Sequence, residues 1–528
     1  MAVHAPHVRV PHPHEHRPGS SRWLALTVLC VSILMVNLDN TVLNVALPTL
    51  VRDLHASSHQ LQWIVDAYAL VYGGLLLVGG SLADRVGRKR TFLAGLAAFA
   101  GGSAWAAFSG SVSVLIAARA SMGIGGALMM PSTLSIITDM FRDGVQRQRA
   151  IGLWAGTSGV GFALGPIIGG LLLAHFWWGS VFLINVPVAV VGLLCAVPVV
   201  PDSKNPAALR PDLAGAALSV AGLGLVLWAI IEAPVYGWSS GLVIFAGVAG
   251  AVVLAGFVAW ERATSHPMLN LRFFRERSFS APIASLGLAM FALVGALFVQ
   301  TQFLQFNLGY SPLEAGVRML PIAAAIAVIA PLSSIVVRTA GSKLTIAAGL
   351  ALIGGGLWQV SYATTGWTFT SILPGMIMTG IGAGLVIPAV SGSVMNSLPR
   401  EHTGVGSATN GVFIQVGGAL GVAVVGSLLS TRYQDRMSAA MAGLHVPQAI
   451  ESTITSSIGG ALAVASQVGG AVGRLLTQAA RAAFISGGDL GLLTAAVVAL
   501  AGCVLALVTV PARRRPKDPD GDPDTGPD

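Results

Sequence analysis

Asp39 and Asp66 are the residues of this 528-residue chain best placed to do chemistry, because each sits in a long apolar stretch. Asp39 follows the uncharged run Leu24–Leu38 and stands in Leu-Asp-Asn-Thr-Val-Leu-Asn-Val-Ala-Leu-Pro, from Leu38 to Pro48. Asp66 repeats the arrangement one apolar segment later, in Trp-Ile-Val-Asp-Ala-Tyr from Trp63 to Tyr68. A carboxylate near the middle of a membrane-spanning helix costs roughly 2.5–3.5 kcal/mol, so it usually faces a water-filled path or a partner inside the bundle. Burial favours the protonated carboxyl, whereas a bound cation favours the ionised one. Competition between a proton and a cation for one carboxylate is the physical core of proton:cation exchange. The structural alternative is a carboxylate satisfied by hydroxyls or a helix N-terminus, with no part in transport.

The elements that must position these acids are membrane spans. Hydrophobic residues make up 54% of the chain and charged residues only 10%, against about 25% charged in soluble domains; mean hydropathy is +0.75. The composition predicts a polytopic membrane protein. Residues 1–21 form a His- and Pro-rich polar tail, and the first apolar segment is long enough to span rather than to be cleaved as a signal. Cys30, Cys195 and Cys503 lie in apolar segments without metal-ligand spacing. The five histidines between His4 and His16 read as part of a solvated tail, and no metal or cofactor is expected.

Windows of about 20 apolar residues give about fourteen spans. With the N-terminus in the cytoplasm, twenty-three of the thirty Lys and Arg residues fall on the cytoplasmic side, and Arg119 and Arg318 fall inside spans. The positive-inside rule then puts both termini in the cytoplasm of a cytoplasmic-membrane protein. The net charge of +8 is spread among short loops, which argues against nucleic-acid binding.

An internal echo organises the chain. Gly-Ile-Gly-Gly-Ala-Leu-Met-Met-Pro from Gly123 to Pro131 matches Gly-Ile-Gly-Ala-Gly-Leu-Val-Ile-Pro from Gly380 to Pro388, and Ala163–Gly165 matches Ala419–Gly421 at nearly the same offset. The matching spans lie eight apart, so the repeats run the same way through the membrane. The expected architecture is all-α: an N-terminal six-helix half over 22–200, two inserted helices with their loops over 201–278, and a C-terminal six-helix half over 279–511. A long extracellular stretch over 431–481 and a disordered tail over 512–528 complete it.

Gly-Ser-Leu-Ala-Asp-Arg-Val-Gly-Arg-Lys-Arg, from Gly80 to Arg90, joins the second and third spans. Its glycines permit a tight turn, and its basic residues hold the loop inside and can pair with Asp84 or anionic lipid. Arg119, in Leu-Ile-Ala-Ala-Arg-Ala-Ser-Met-Gly from Leu115 to Gly123, can hold a carboxylate in its charged form or pair with backbone carbonyls. Gly161, Gly165, Pro166 and Gly169 lie in one glycine-rich span, where they permit close helix approach and a kink.

Together these motifs resemble the major facilitator superfamily, and within it the fourteen-helix drug:proton antiporters; the resemblance covers nearly the whole chain. Gly80, Asp84, Arg85, Gly87 and Arg88 match the family's loop signature, Leu38–Pro48 its first-span signature, and Arg119 its fourth-span arginine. Gly161, Gly165, Pro166 and Gly169 resemble its antiporter motif, and Phe182–Pro187 its entry to the sixth span, although Trp177-Trp178-Gly179 stands where the family carries Trp-Arg-Trp. The resemblance implies proton-coupled export of small amphipathic compounds by alternating access, as a monomer in the lipid bilayer. Asp39, Asp66 and Arg119, on the chemistry of buried charges, are the candidates for proton coupling and substrate sensing, and the resemblance makes Asp84 a latch on the cytoplasmic side. Few further acids are evident in the second half, which favours lipophilic or monocationic substrates, with Trp63, Tyr68, Phe298, Phe303, Phe306 and Phe413 as candidate apolar walls. The rivals are a dedicated exporter of one antibiotic or metabolite, a membrane enzyme, for which no cluster of acids or metal ligands is found, and a non-transporting scaffold.

Overall fold

In hydrocarbon every backbone N–H and C=O must be satisfied within its own segment, so apolar runs of this length fold as helices. In the computed structural model, which describes residues 19–511 other than 142, 205–210, 266, 270, 363, 365, 398–402 and 443–446, the regular elements are all helical. The tails at 1–18 and 512–528, with the histidines from His4 to His16, lie outside the described residues.

The first group comprises α1 (Gly19–Leu54), α2 (Ser58–Val86), α3 (Arg88–Ala107), α4 (Val112–Met140), α5 (Gly144–His175), the short α6 (Ser180–Leu183) and α7 (Asn185–Val199). Two further helices follow, α8 (Leu213–Tyr236) and α9 (Gly241–Ala263). The last group comprises α10 (Arg277–Gln302), α11 (Pro312–Arg318), α12 (Leu320–Val360), α13 (Phe369–Ser397), α14 (Thr403–Met441), α15 (Gln448–Ser456), α16 (Ile458–Val468) and α17 (Gly470–Thr509). Polar residues start several of them. Ser111 accepts from the Val114 N–H, Asp143 from Gln146 and Asp212 from Gly215, each satisfying an otherwise unpaired first-turn donor.

Among the described residues, twelve helical segments are long and apolar enough to cross a membrane. One of them, Pro312–Val360, is 49 residues long and contains Gly341 at φ +83°. That backbone conformation is ordinary only for glycine. Ile322 and Ile353 both reach the neighbouring glycines Gly380 and Gly382 of α13, yet 31 residues of straight helix would separate them by about 46 Å. The chain therefore folds back at Gly341, giving α12 two arms. The sequence reading counts those arms separately and also counts α3, which is not among the twelve.

The internal echo is reproduced in the packing. In α4, Gly123 sits against Tyr68 and Val71 of α2, and Gly125 against Phe99 of α3. In α13, Gly380 sits against the first arm of α12 and Gly382 against the second. Likewise Gly165 of α5 lies on α1, and Gly421 of α14 lies on Phe291 of α10. Equivalent glycines thus face equivalent neighbours, as parallel repeats require. Helices α8 and α9 pack on each other, and α8 lies against both α2 and α14.

The stretch expected as a long extracellular loop is largely helical. The helix α14 continues to Met441, α17 begins at Gly470, and α15 and α16 fill much of the interval. Ser58 Oγ donates to the Ser456 carbonyl at 3.0 Å, Tyr433 OH to the Ile454 carbonyl at 3.0 Å, and Gly459 rests on Val51 and Phe306. This small-residue segment folds over the ends of helices from both groups.

Candidate functional site

Asp39 is not a lone acid. Arg119 Nη1 donates to Asp39 Oδ2 at 2.5 Å, and Asn185 Nδ2 donates to Asp39 Oδ1 at 3.0 Å. Asp39 and Arg119 are each 1% exposed. Arg119 Nε also donates to the Ile64 carbonyl at 3.1 Å, and the guanidinium lies 4.5 Å from the centre of the Tyr68 ring. One arginine on α4 therefore ties α1 to α2, while Asn185 brings in α7. Both charges are paired and hydrogen-bonded, which is the condition for keeping them in a protein interior. Asn185 lies within the Phe182–Pro187 motif of the sequence reading, but its contact with Asp39 needed the fold to become visible.

Asp66 differs. It is 0% exposed, and neither carboxylate oxygen meets a hydrogen-bond partner. The structure thus separates the two acids by environment: one has a built-in cation and the other does not. Tyr68, one of the candidate apolar walls, is a fully buried neighbour of Arg119 instead.

Two further intramembrane acids were missed in the sequence reading. Glu232 of α8 accepts from Trp63 Nε1 at 3.0 Å, so Trp63 anchors the inserted pair. Asp489 of α17 lines a small cavity with Gln300. Both stand in apolar runs comparable to those around Asp39 and Asp66, and that pattern alone could have revealed them. Glu314, also in the second half, caps its own helix through the Ser311 N–H and hydroxyl.

The loop from Gly80 to Arg90 is a junction of helix ends. Gly87 adopts φ +123° between α2 and α3. Arg88 Nε donates to Asp84 Oδ1 at 2.9 Å, and its Nη1 lies 3.3 Å from the Ser135 carbonyl and 3.8 Å from Asp139 on α4. The Arg88 N–H donates to the Ser203 carbonyl at 2.8 Å, and Arg85 is exposed. Asp84 is thus engaged within the first helical group.

The glycines of α5 divide into two sets. Gly161, Gly165 and Gly169 lie directly on Leu34, Thr41 and Val42 of α1, and Pro166 presents its carbonyl to Gly316 of α11. Gly170 meets Leu313. Nearer the start of the helix, Gly152, Gly156 and Gly159 have open space around them. The later part of α5 therefore packs on α1 and α11, whereas its beginning faces open space; α2 and α14 also join the two groups, through Gln62 on Gly426 and Leu76 on Gly411. A small cavity lies at the meeting point, lined by Thr41 and Asn44 of α1, Phe162 and Pro166 of α5, and Leu297 and Thr301 of α10, among others. The aromatic walls proposed from sequence do not line it. Phe298 is buried, Phe306 holds Gly459, and Phe413 stacks on Phe274.

Among the described residues no group of three or more His, Cys, Asp or Glu is placed to hold a metal ion. Comparison with known proteins gives a consistent picture. The sequence profile of the Major Facilitator Superfamily matches residues 29–422. The tetracenomycin C resistance and export protein of Streptomyces glaucescens is 34% identical over 519 residues, covering 96% of this chain and 95% of its own. The multidrug efflux pump LfrA of Mycolicibacterium smegmatis is 36% identical over 504 residues, covering 95% and 98%. A bacterial homologue of the human lysosomal transporter Spinster, in an inward-facing, unoccupied conformation, superposes with a TM-score of 0.65 at 17% identity, over 94% of this chain and 98% of its own. The human organic anion transporter MFSD10 has a TM-score of 0.58 at 16% identity, over 93% of this chain and 100% of its own. With parallel repeats in its packing and this profile along most of its length, the chain is a multi-pass membrane protein of the major facilitator superfamily.

Proposed function

We propose that this protein exports small amphipathic or lipophilic compounds across the cytoplasmic membrane in exchange for protons, by alternating access, with both termini in the cytoplasm. Counting α3 and both arms of α12, the chain crosses fourteen times, as a monomeric transporter rather than an enzyme. The observation that carries the reading is the contrast between Asp39, neutralised by Arg119, and Asp66, buried without a partner. Only a proton or a bound cation can neutralise Asp66 where it stands, so Asp66 is the exchange site. The Asp39–Arg119–Asn185 cluster holds α1, α2, α4 and α7 in register around it.

The open space along the beginning of α5, against its close packing further on, supports a cavity open on the side of the Gly80–Arg90 loop, and the distribution of basic residues supports that side being cytoplasmic. In this inward-open arrangement Asp84 is occupied by Arg88; in the outward-open arrangement the loop closes against the second half. For a neutral substrate each proton entering contributes about 2.3 kcal/mol per 100 mV, more than the roughly 1.4 kcal/mol of a tenfold substrate gradient; for a monocation the two charges cancel, and the pH difference drives one-for-one exchange.

A second reading, export of one dedicated antibiotic or metabolite, draws support from the relative named for tetracenomycin C. Efflux from loaded cells across a chemically varied panel separates the two. Protonophore-sensitive efflux of several unrelated lipophilic cations supports the broad exporter, and efflux of a single compound supports the dedicated one.

A further inference from the structure

Midway along α17, beside the ends of α10 and α12 and the start of α13, a small cavity is lined by four helices of the second half. Gln300 of α10 and Asp489 of α17 supply its polar lining, with Phe303, Phe484, Val360 and Ile372 around them. Gln300 is 2% exposed, and neither its amide oxygen nor its nitrogen meets a hydrogen-bond partner. A buried polar group left unpaired costs about 1–3 kcal/mol. Such an amide calls for a polar occupant. The cavity measures about 20 Å³, enough for one water, which needs at least roughly 10–15 Å³, and too small for a drug. The side chains offer three oxygens, whereas a calcium site takes about six to eight.

We infer that Asp489 and Gln300 form a second proton-binding site, separate from Asp66, in which one water bridges the carboxyl and the amide. A hydronium ion entering from the external side gives its proton to an Asp489 oxygen. One O–H bond breaks on the hydronium as one forms on the carboxyl, and the remaining water stays bonded to Gln300. The surrounding charges leave this exchange local. The α13 segment Phe369–Ser397 contains no charged residue, and the basic residues of α10 and α12 (Arg277, Arg338, Lys343) lie far along those helices. On α14, Arg432 donates to Ser486 at 3.4 Å, one turn from Asp489, with Asp435 and Arg436 beyond it. On α17 itself, Arg481 bonds the Phe306 carbonyl about 12 Å along the helix. Among the described residues none of these forms an ion pair with Asp489. The site does not depend on the transport reading, because it can be observed without substrate.

The test is infrared difference spectroscopy of the purified full-length protein in lipid nanodiscs, between acid and alkaline pH, in H₂O and D₂O. The expected result is a titrating protonated-carboxyl band additional to that of Asp66, absent in Asp489→Asn and displaced in both frequency and midpoint in Gln300→Leu. Should Asp489→Asn not fold, Gln300→Leu alone decides, since it keeps the carboxyl and removes its partner. Spectra unchanged in the folded variants overturn the site. Loss of the band on adding sodium at constant pH also overturns it, because it would make a metal cation the occupant.

Discussion

Arg119 on α4 and Asp39 on α1 form a fully buried ion pair, 2.5 Å between Nη1 and Oδ2, with Asn185 on the second carboxylate oxygen. The apolar stretch that made Asp39 conspicuous in the sequence is therefore the place where an ion pair joins α1 to α4 and a hydrogen bond adds α7.

Removing one member of such a pair leaves the other charge buried, which costs about 3–5 kcal/mol, whereas removing both can be nearly neutral. Asp39→Asn is expected to lower the thermal midpoint of the detergent-purified protein clearly, and Asp39→Asn with Arg119→Gln to recover most of the loss. Thermal-shift measurements on both variants check this. A double variant less stable than the single one contradicts the pairing.

Asp66→Asn should behave in the opposite way. No partner is orphaned, so the thermal midpoint should stay within a few degrees of wild type while proton-coupled efflux is lost. Parallel thermal-shift and efflux assays separate the two effects; a large drop in stability would make Asp66 structural.

A Cβ at position 165 would lie 2.8 Å from Thr41 Cβ and 3.2 Å from the Leu38 carbonyl. Gly165→Val therefore forces α5 from α1 and should destabilise by about 1–3 kcal/mol, as overpacking does. Gly156 has open space, so Gly156→Ala should be tolerated in stability. Expression and melting of the two variants, measured side by side, check the contrast.

Arg88 pairs with Asp84 at a partly exposed site, where an ion pair is worth at most about 1 kcal/mol. Arg88→Gln should leave the melting temperature nearly unchanged but alter the balance of inward- and outward-open forms. Cysteine accessibility at Gly156→Cys, in the open part of α5, reports that balance. Equal labelling with and without the Arg88 change would argue against a latch.

The sequence carried the helical architecture well. Apolar length marks spans, basic loops mark sides, and the echo of Gly123–Pro131 in Gly380–Pro388 marks the repeat that the packing reproduces. It did not reveal which acids are paired. Asp39 and Asp66 look alike in sequence, and only the meeting of α1, α4 and α7 distinguishes them. Glu232 and Asp489 were legible by the same apolar context. Trp63, which bonds Glu232, and Gln300, which lines a cavity with Asp489, are distant from them in the chain and come near only through the fold. Aromatic side chains are hard to sort from sequence for a general reason: between tightly packed helices, a ring such as Phe298 fills space as readily as it lines a route.

The central claim is exchange of a proton at Asp66 against exported substrate. Its most direct test places purified wild type and Asp66→Asn in proteoliposomes with an imposed pH gradient and measures uptake of a fluorescent lipophilic cation. The account predicts gradient-driven accumulation by wild type, abolished by a protonophore and absent in Asp66→Asn at equal reconstitution. Equal gradient-driven accumulation by both proteins would contradict it.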